Sequence, residues 1–161
     1  MNRKYDKKYF LDKINKIKEI RKDIAITTDV IVGFPNETEE DFNETLEFVK
    51  ELGLAGGHAF PYSIRKGTPA SKMNGQLTKE EKHIRVKKLI ERFSELEDDY
   101  SKMFINKNVI VIPEVYEEGY LIGHTDNYLK VKFLGNCSLI GEEVETQLIE
   151  YDNKVFIGKT K

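Results

Sequence analysis

The chain has 161 residues, enough for one average domain or two small ones. Its 26 basic and 28 acidic residues leave a formal net charge of −2, so the chain as a whole has no charge-driven attraction to nucleic acid or membranes. The apolar runs are far shorter than the ~20 residues of a membrane span, and the charged start lacks a secretory apolar core. The single cysteine, Cys137, excludes an internal disulfide and fits a reducing compartment. We therefore predict a cytoplasmic protein without membrane contact.

The first 62 residues predict helix, strand, helix and strand. Residues at helical spacing predict a first helix over residues 6–21, whose core-facing stripe consists of Phe10, Ile14, Ile17 and either Ile20 or Arg21. The β-branched run 24–33 is typical of a strand that is covered on both faces in a parallel sheet. A second strand is expected over residues 55–62, and strand, helix and strand at this spacing make a βαβ unit.

Two capping boxes mark the helices that follow the two strands. Thr38 with Asp41, and Thr78 with Glu81, have the spacing of reciprocal N-terminal caps. The apolar stripe predicted for the second helix consists of Phe42, Leu46, Val49 and Leu52, and that of the third consists of Leu89, Phe93, Leu96, Tyr100 and Met103.

The pattern changes to a period of two after Asn106. Turn residues then recur at short intervals, which predicts about five short antiparallel strands forming a small barrel. From Asn108 onward nine acidic residues face five basic ones, which argues against a simple basic RNA-binding tail. We predict two domains, an α/β part over residues 1–105 and an all-β part over residues 106–161.

The first candidate site is the turn that follows the first strand. Gly33 and Glu37 lie where the carboxyl end of a parallel strand meets the start of a helix, a usual place for ligands in α/β enzymes. The alternative is that these residues only shape the turn. Asp29 lies within an apolar strand, where a carboxylate is costly unless paired, so it is either an inward-facing site group or an ion-pair partner. The three histidines lack metal-ligand spacing, and we expect no metal site.

Four stretches of the chain resemble a known family in its order. Residues 27–38, TTDVIVGFPNET, and residues 58–70, HAFPYSIRKGTPA, resemble the radical S-adenosylmethionine (SAM) methylthiotransferases that modify tRNA, in particular the branch acting on N6-threonylcarbamoyladenosine. Residues 1–5 resemble the family's Met-x-Arg-x-Tyr stretch. Residues 123–133 resemble its TRAM domain, a small RNA-binding β-barrel. At Asn36 the family usually has glycine, but asparagine tolerates a positive φ angle.

The resemblance implies the C-terminal half of such an enzyme, a partial (β/α) barrel followed by an OB-like TRAM barrel. In this family SAM and [4Fe–4S] clusters replace an adenosine C–H by C–S–CH3 through a 5′-deoxyadenosyl radical. The cluster-binding cysteines of the family lie upstream of the matched region, and a cluster needs several thiolates. We therefore expect no catalytic residue in this chain and no activity from the chain alone.

The resemblance also suggests which residues face the cofactor and the RNA. The expected SAM-lining residues are Asp29, Gly33, Glu37, Ser63 and Arg65. The expected RNA-binding residues are Arg65, His124, Tyr128, Lys130 and Lys132. The even spacing of the last three predicts that one strand face presents them together.

The expected partners are the anticodon stem-loop of tRNA and the missing N-terminal half of the enzyme. Exposed sheet edges of the partial barrel also suggest a homodimer. Two alternatives remain open at this stage. One is a stand-alone RNA-binding module without catalysis, and the other is a structural fragment without a ligand. The sequence does not discriminate between different modified adenosines as substrates.

Overall fold

The computed structural model describes residues 4–160. The Met1–Arg3 part of the family-like N-terminal stretch therefore lies outside the described residues. The helices are α1 (Lys7–Ile20), α2 (Glu39–Glu51) and α3 (Lys79–Lys102), with short 3-10 turns at Pro69–Lys72 and Cys137–Leu139. The strands are β1 (Thr27–Val32), β2 (Gly56–Pro61), β3 (Asn108–Glu117), β4 (Tyr120–His124), β5 (Lys130–Leu134), β6 (Val144–Asp152) and β7 (Val155–Thr160). No helix among the described residues is long and apolar enough to cross a membrane.

The chain separates into two compact units. The first comprises residues 1–20 and 26–97, and the second comprises residues 21–25 and 98–161. The change of unit therefore falls eight residues before the boundary at 105/106 that the sequence predicts, and it lies within α3.

The sheet of the first unit has two parallel strands, β1 and β2, in which Thr27 pairs with Gly56 and Val32 with Pro61. The buried core beside the sheet contains Ile14, Val32, Phe42, Val49, Leu52, Leu54, Leu89, Phe93 and Leu96. The apolar stripe predicted for α2 is thus confirmed, with Leu46 packed at its border. Gly57 leaves room for the ring of Phe93 on α3, because a Cβ atom at this position would lie 2.6 Å from that ring.

Three sequence predictions about the first unit and its helices are wrong. β1 is covered on one face only, since Asp29 and Ile31 point away from the core and are exposed. The stripe of α1 ends earlier than predicted, because Ile17 and Ile20 are 40% and 88% exposed. Met103 is 51% exposed because α3 ends at Lys102, so helical spacing no longer determines its direction.

The second unit contains a closed five-stranded barrel in the order β3-β4-β5-β7-β6. Its buried interior consists mainly of Val111, Leu121, Val131, Phe133, Leu148 and Phe156. The prediction of purely antiparallel strands is wrong, because β5 and β7 pair in parallel. A closed ring of five strands cannot alternate in direction all the way round, so at least one neighbouring pair must run in parallel.

Candidate functional site

The carboxyl ends of β1 and β2 meet at one edge of the first sheet. The backbone N–H of Tyr62, just after β2, donates to the carbonyl of Val32 at the end of β1 (2.8 Å). Gly33 then turns the chain with a φ angle of +73°, a conformation that glycine adopts without strain. The edge therefore brings together the two segments that the sequence identified, the turn after β1 and the loop after β2.

The Glu37 carboxylate holds the turn after β1. Its Oε1 accepts a hydrogen bond from the backbone N–H of Gly33 (2.8 Å), and it also bonds to the guanidinium of Arg85 on α3. The same guanidinium donates to the Glu37 carbonyl at 3.0 Å. The two side chains are only 15% and 10% exposed, so this is a largely buried, hydrogen-bonded ion pair. The predicted contact of Glu37 with a cofactor stays a prediction, and its structural role is to shape the edge.

A second contact fixes the far side of this turn. Asn36 adopts a φ angle of +65°, which confirms that asparagine holds the conformation for which the resembling family has glycine. Its backbone N–H donates to the carbonyl of Gly75 at 2.9 Å. Gly75 has a φ angle of +72°, and a Cβ atom there would lie 2.0 Å from Asn36 Oδ1, so a larger residue would be strained and would displace the Asn36 side chain.

The exposed face of the first sheet presents a polar pair beside an apolar pair. Asp29 and His58 are neighbours in the parallel register, and Asp29 Oδ1 lies 3.1 Å from His58 Nδ1. Ile31 and Phe60 form the next pair on the same face and are 38% and 47% exposed. Asp29 therefore faces away from the helical core and has a histidine partner. Sequence reasoning did not find this partner, because the register that brings the two residues together is a tertiary property.

Ser63 and Arg65 are exposed in the loop that follows β2. Among the described residues, Gly33 and Glu37 are the only two of the five predicted SAM-lining residues that bond to each other. Asp29 lies on the exposed strand face, whereas Ser63 and Arg65 lie in the loop at the carboxyl edge of the same sheet.

The predicted RNA-binding residues of the second unit lie around the end of β4 and the start of β5. His124 Nδ1 is 3.0 Å from Glu114 Oε1, and His124 pairs with Lys130 across the ladder. Lys130 and Lys132 lie on the outer face of β5, where Lys132 Nζ is 4.4 Å from the centroid of the Tyr120 ring. Both lysines thus share one strand face, as predicted.

Tyr128 is not on that strand face, contrary to the prediction. It lies in the turn before β5 with a φ angle of +65°, outside the strand on which the prediction placed it. Its side chain is 85% exposed, and its ring centroid is 6.3 Å from that of His124. The structure therefore places Tyr128 beside the predicted RNA-binding histidine by means of the turn rather than by the strand.

A buried hydrogen-bond network holds this turn. Asn127 Nδ2 donates to the Tyr100 hydroxyl at 2.9 Å, and that hydroxyl donates to the carbonyl of Asp23 at 2.6 Å. Thr125 Oγ1 donates to Asn127 Oδ1 and accepts the backbone N–H of Leu129 at 2.9 Å. Burial raises the pKa of Tyr100, so its hydroxyl remains a donor throughout the neutral range. Next to the turn, a groove of about 620 Å³ is lined by Ile110, Ile112, Glu114, His124 and Tyr128 among others.

The metal-ligating residue types are scattered. Among residues 4–160, no group of three or more His, Cys, Asp or Glu side chains is placed to hold a metal ion. Cys137, the one cysteine of the chain, is exposed. An iron–sulfur cluster requires several thiolates, so the residues of this chain do not fit one.

Comparison with curated proteins identifies relatives over nearly the whole chain. A Bacillus subtilis protein named threonylcarbamoyladenosine tRNA methylthiotransferase is 42% identical over 93% of this chain and 34% of its own length. Two further relatives are named tRNA-2-methylthio-N(6)-dimethylallyladenosine synthase. The one from Alkaliphilus oremlandii is 40% identical over 93% of this chain and 32% of its own length. The one from Clostridium tetani is 44% identical over 92% of this chain and 33% of its own length.

The chain spans about a third of the length of the curated relatives it matches. No family model matches the chain. The family resemblance of the sequence strings is nevertheless confirmed by the relatives, whose match extends across both structural units. Over both of its structural units, this chain is therefore similar to about one third of proteins named as tRNA methylthiotransferases.

Proposed function

We propose that this chain is the C-terminal part of a radical SAM tRNA methylthiotransferase, one that installs a methylthio group on a modified adenosine beside the anticodon. In this proposal the first unit completes a (β/α) barrel, and the second is a TRAM-type domain that contacts tRNA. The domains correspond to residues 1–105 and 106–161. A tRNA substrate implies a cytoplasmic location. The missing N-terminal half of the enzyme is the main protein partner.

The observation that carries this proposal is the one-sided cover of the first sheet. A (β/α) barrel has helices outside and side chains inside, so the strand face away from the helices lines the barrel interior. Here Asp29, Ile31, His58 and Phe60 occupy that face, while the opposite face packs in the helical core. The exposed polar and apolar pairs are therefore the expected lining of an enclosed site.

The residues at the open face and the carboxyl edge fit the polar groups of SAM. Asp29 supplies a carboxylate for hydroxyl or ammonium donors, and the planar guanidinium of Arg65 suits a carboxylate. Gly33 leaves the turn without a side chain, and Ser63 adds a hydroxyl at the edge. SAM, when bound together with a cluster held elsewhere in the enzyme, supplies the radical chemistry. The residues of this chain bind and orient the SAM molecule.

The tRNA-facing surface of the second unit combines the exposed Tyr128 with Lys130, Lys132 and His124. An aromatic ring stacks on an unpaired base, and the lysines meet phosphates. Arg65 of the first unit is a further candidate for phosphate contact. The relatives carry two different substrate names at similar identity, so the N6 group of the substrate is left open in this proposal.

A chimera tests the proposal. The matching third of the Bacillus subtilis relative is replaced by this chain, and the chimera is expressed in a strain that lacks the relative. We expect 2-methylthio nucleosides in the tRNA, measured by mass spectrometry of digested nucleosides. Asp29→Asn should lower the yield by up to about 100-fold, because small misplacements in a reacting site are costly. Asp12→Asn, on the exposed side of α1, is the matched control and should retain the yield.

The stand-alone RNA-binding module is the alternative that this chimera distinguishes. If the purified chain binds an anticodon stem-loop while every chimera with an intact fold gives no methylthio product, the chain is an RNA-binding module. Product formation by the chimera would exclude that alternative.

A further inference from the structure

A cavity of about 600 Å³ lies beside the carboxyl edge of the first sheet. It is lined by the end of β2 and the loop after it, by Leu77, and by the first two turns of α3. Ile64, Leu77 and Val86 contribute apolar walls, and Tyr62 contributes a phenol ring. Its size is in the range of cavities that hold small ligands such as nucleotides.

The charged groups that line this cavity are all basic. Lys79, Lys82 and His83 line it, and no acidic side chain does. Glu80 and Glu81 lie in the same helical turn, but the Glu81 carboxylate accepts the backbone N–H of Thr78 at 2.7 Å instead. Within residues 4–160, neither Lys79 nor Lys82 forms an ion pair. Charge complementarity therefore favours an anionic ligand.

The phenol of Tyr62 is held rigidly while its hydroxyl lacks a partner. Phe34 packs edge-on against the ring at 5.1 Å between centroids, and Lys82 Nζ lies 5.2 Å from the ring centroid. The hydroxyl is buried and has no hydrogen-bond partner among the described residues. A buried hydroxyl without a partner is costly, so this phenol retains an unused capacity for one hydrogen bond at the wall of the cavity.

Lys82 is positioned by the same turn that shapes the proposed cofactor edge. A Cβ atom on Gly33 would lie 2.5 Å from Lys82 Cγ, so the lysine stem crosses the turn where glycine leaves room. The position of the Lys82 side chain in the cavity therefore depends on the glycine in the turn after β1.

We propose that this cavity binds one nucleotide of the tRNA, taken from an unpaired stretch beside the modified position. The phosphate lies against Lys79 and Lys82, with a donor from His83, and the base packs against Ile64, Leu77 and Val86. The Tyr62 hydroxyl supplies a hydrogen bond to this nucleotide. The inference rests on the proposed function, because it takes RNA as the partner, and it adds a nucleotide site on the α/β unit to the one expected on the barrel.

The test measures binding of a labelled anticodon stem-loop RNA to the full chain at several salt concentrations. The variant Lys79→Met plus Lys82→Met removes both charges and keeps unbranched aliphatic side chains, including the part of the Lys82 side chain that lies against Gly33. The slope of log affinity against log salt should fall by about 0.7 to 0.9 for each lysine that contacts a phosphate. Lys50→Met plus Lys87→Met, two exposed lysines of the same unit, removes the same charge elsewhere and should leave the slope unchanged.

Tyr62→Phe is a second variant that does not depend on charge. The melting temperature of the free chain should stay level or rise, because the substitution removes a hydroxyl without a partner. Its RNA affinity should fall roughly two- to tenfold, the usual effect of one lost hydrogen bond. A melting temperature that falls, or an affinity that does not change, would contradict the assignment of this hydroxyl to a ligand.

The outcomes separate this inference from the proposed function. If the wild-type chain binds RNA and the cavity variants bind with the same slope and affinity, the cavity site is wrong while the proposed function stands. If free adenosine monophosphate displaces the RNA and shows the same dependence on Lys79 and Lys82, the site is one for a free nucleotide and the inference is overturned. If wild-type binding is absent at low salt while the chimera forms product, the inference is likewise overturned.

Discussion

The two sheets of this chain differ in whether all of their strand edges are paired by hydrogen bonds to a neighbouring strand. β1 and β2 each have one edge that pairs with no other described strand, and one face of their sheet is exposed. The five strands of the barrel instead close into a ring, in which every strand has two neighbours. Unpaired edges are sites where another chain segment can add. The comparison shows that every barrel strand is paired along both edges, whereas the two-stranded sheet presents two edges that no described strand pairs with.

The two units also differ in how they hold their candidate sites. The first unit holds its turn with a charged pair, Glu37 and Arg85, in a nearly buried position. The second holds the Tyr128 turn with neutral groups, Tyr100, Thr125 and Asn127. A buried charge that loses its partner is far more costly than a neutral group, so the first unit should respond more strongly to a single substitution.

The largest effect is expected for Arg85→Ala in the first unit. It leaves the Glu37 carboxylate largely buried without its cation, and removal of one partner of a buried pair costs about 3–5 kcal/mol. Urea unfolding followed by hydrogen exchange of the β1 and β2 amides measures this loss. Lys88→Ala is the matched control, because Lys88 makes an exposed pair with Glu39 on the same helix face and should cost less than about 1 kcal/mol. Equal losses for the two variants would show that the turn does not depend on the buried pair.

An intermediate effect is expected for Asn127→Ala in the second unit. It removes the donor to the Tyr100 hydroxyl and the acceptor for Thr125, which should cost about 1–3 kcal/mol of unfolding free energy. Exchange of the barrel amides in urea measures the loss. Asn108→Ala removes an exposed amide bonded to Glu145 and should cost less than about 0.5 kcal/mol. A loss for Asn127→Ala as small as that of the control would mean that the network does not stabilise the turn.

The smallest loss of stability is expected when the Asp98 charge is removed. The electrostatic origin of this loss is tested by its dependence on pH. The hydrogen bond from Lys154 lowers the pKa of Asp98, and that from Tyr151 adds to it. The ionised form is therefore favoured in the folded state, so its stabilisation is present above the ordinary carboxyl pKa and is lost as the pH falls through the lowered value. Because both side chains are more than a third exposed, the gain is below about 1 kcal/mol.

Asp98→Asn should thus lower the melting temperature slightly at pH 7, and the difference from wild type should shrink as the pH falls below the ordinary carboxyl pKa. Asp99→Asn, at the next and exposed position of the helix, is the control and should show no such convergence. A difference that persists unchanged at low pH would show that the effect is not electrostatic.

The amino-acid sequence alone determined the order of the elements, the two capping boxes, the apolar stripe of α2 and the resemblance to tRNA methylthiotransferases. The elements and caps depend on residues close together in the chain. The resemblance depends on short stretches of sequence, each of which can be compared with the family separately. The predicted caps are formed by Thr38 with Asp41 and by Thr78 with Glu81. The positive φ angle at Asn36 was also predictable, because it is a local property of that residue type.

The tertiary structure alone decided which distant groups meet. Arg85 reaches Glu37 across 48 residues, and the pairing of Asp29 with His58 depends on the register of two strands. The parallel pair of β5 and β7 arises from closing an odd number of strands into a ring, a condition that no single strand carries in its sequence. Tyr128 is not part of the predicted strand because it lies in a turn with positive φ, two residues before β5 begins. Local patterns specify the elements, whereas contacts between residues far apart in the chain depend on how the elements pack and pair.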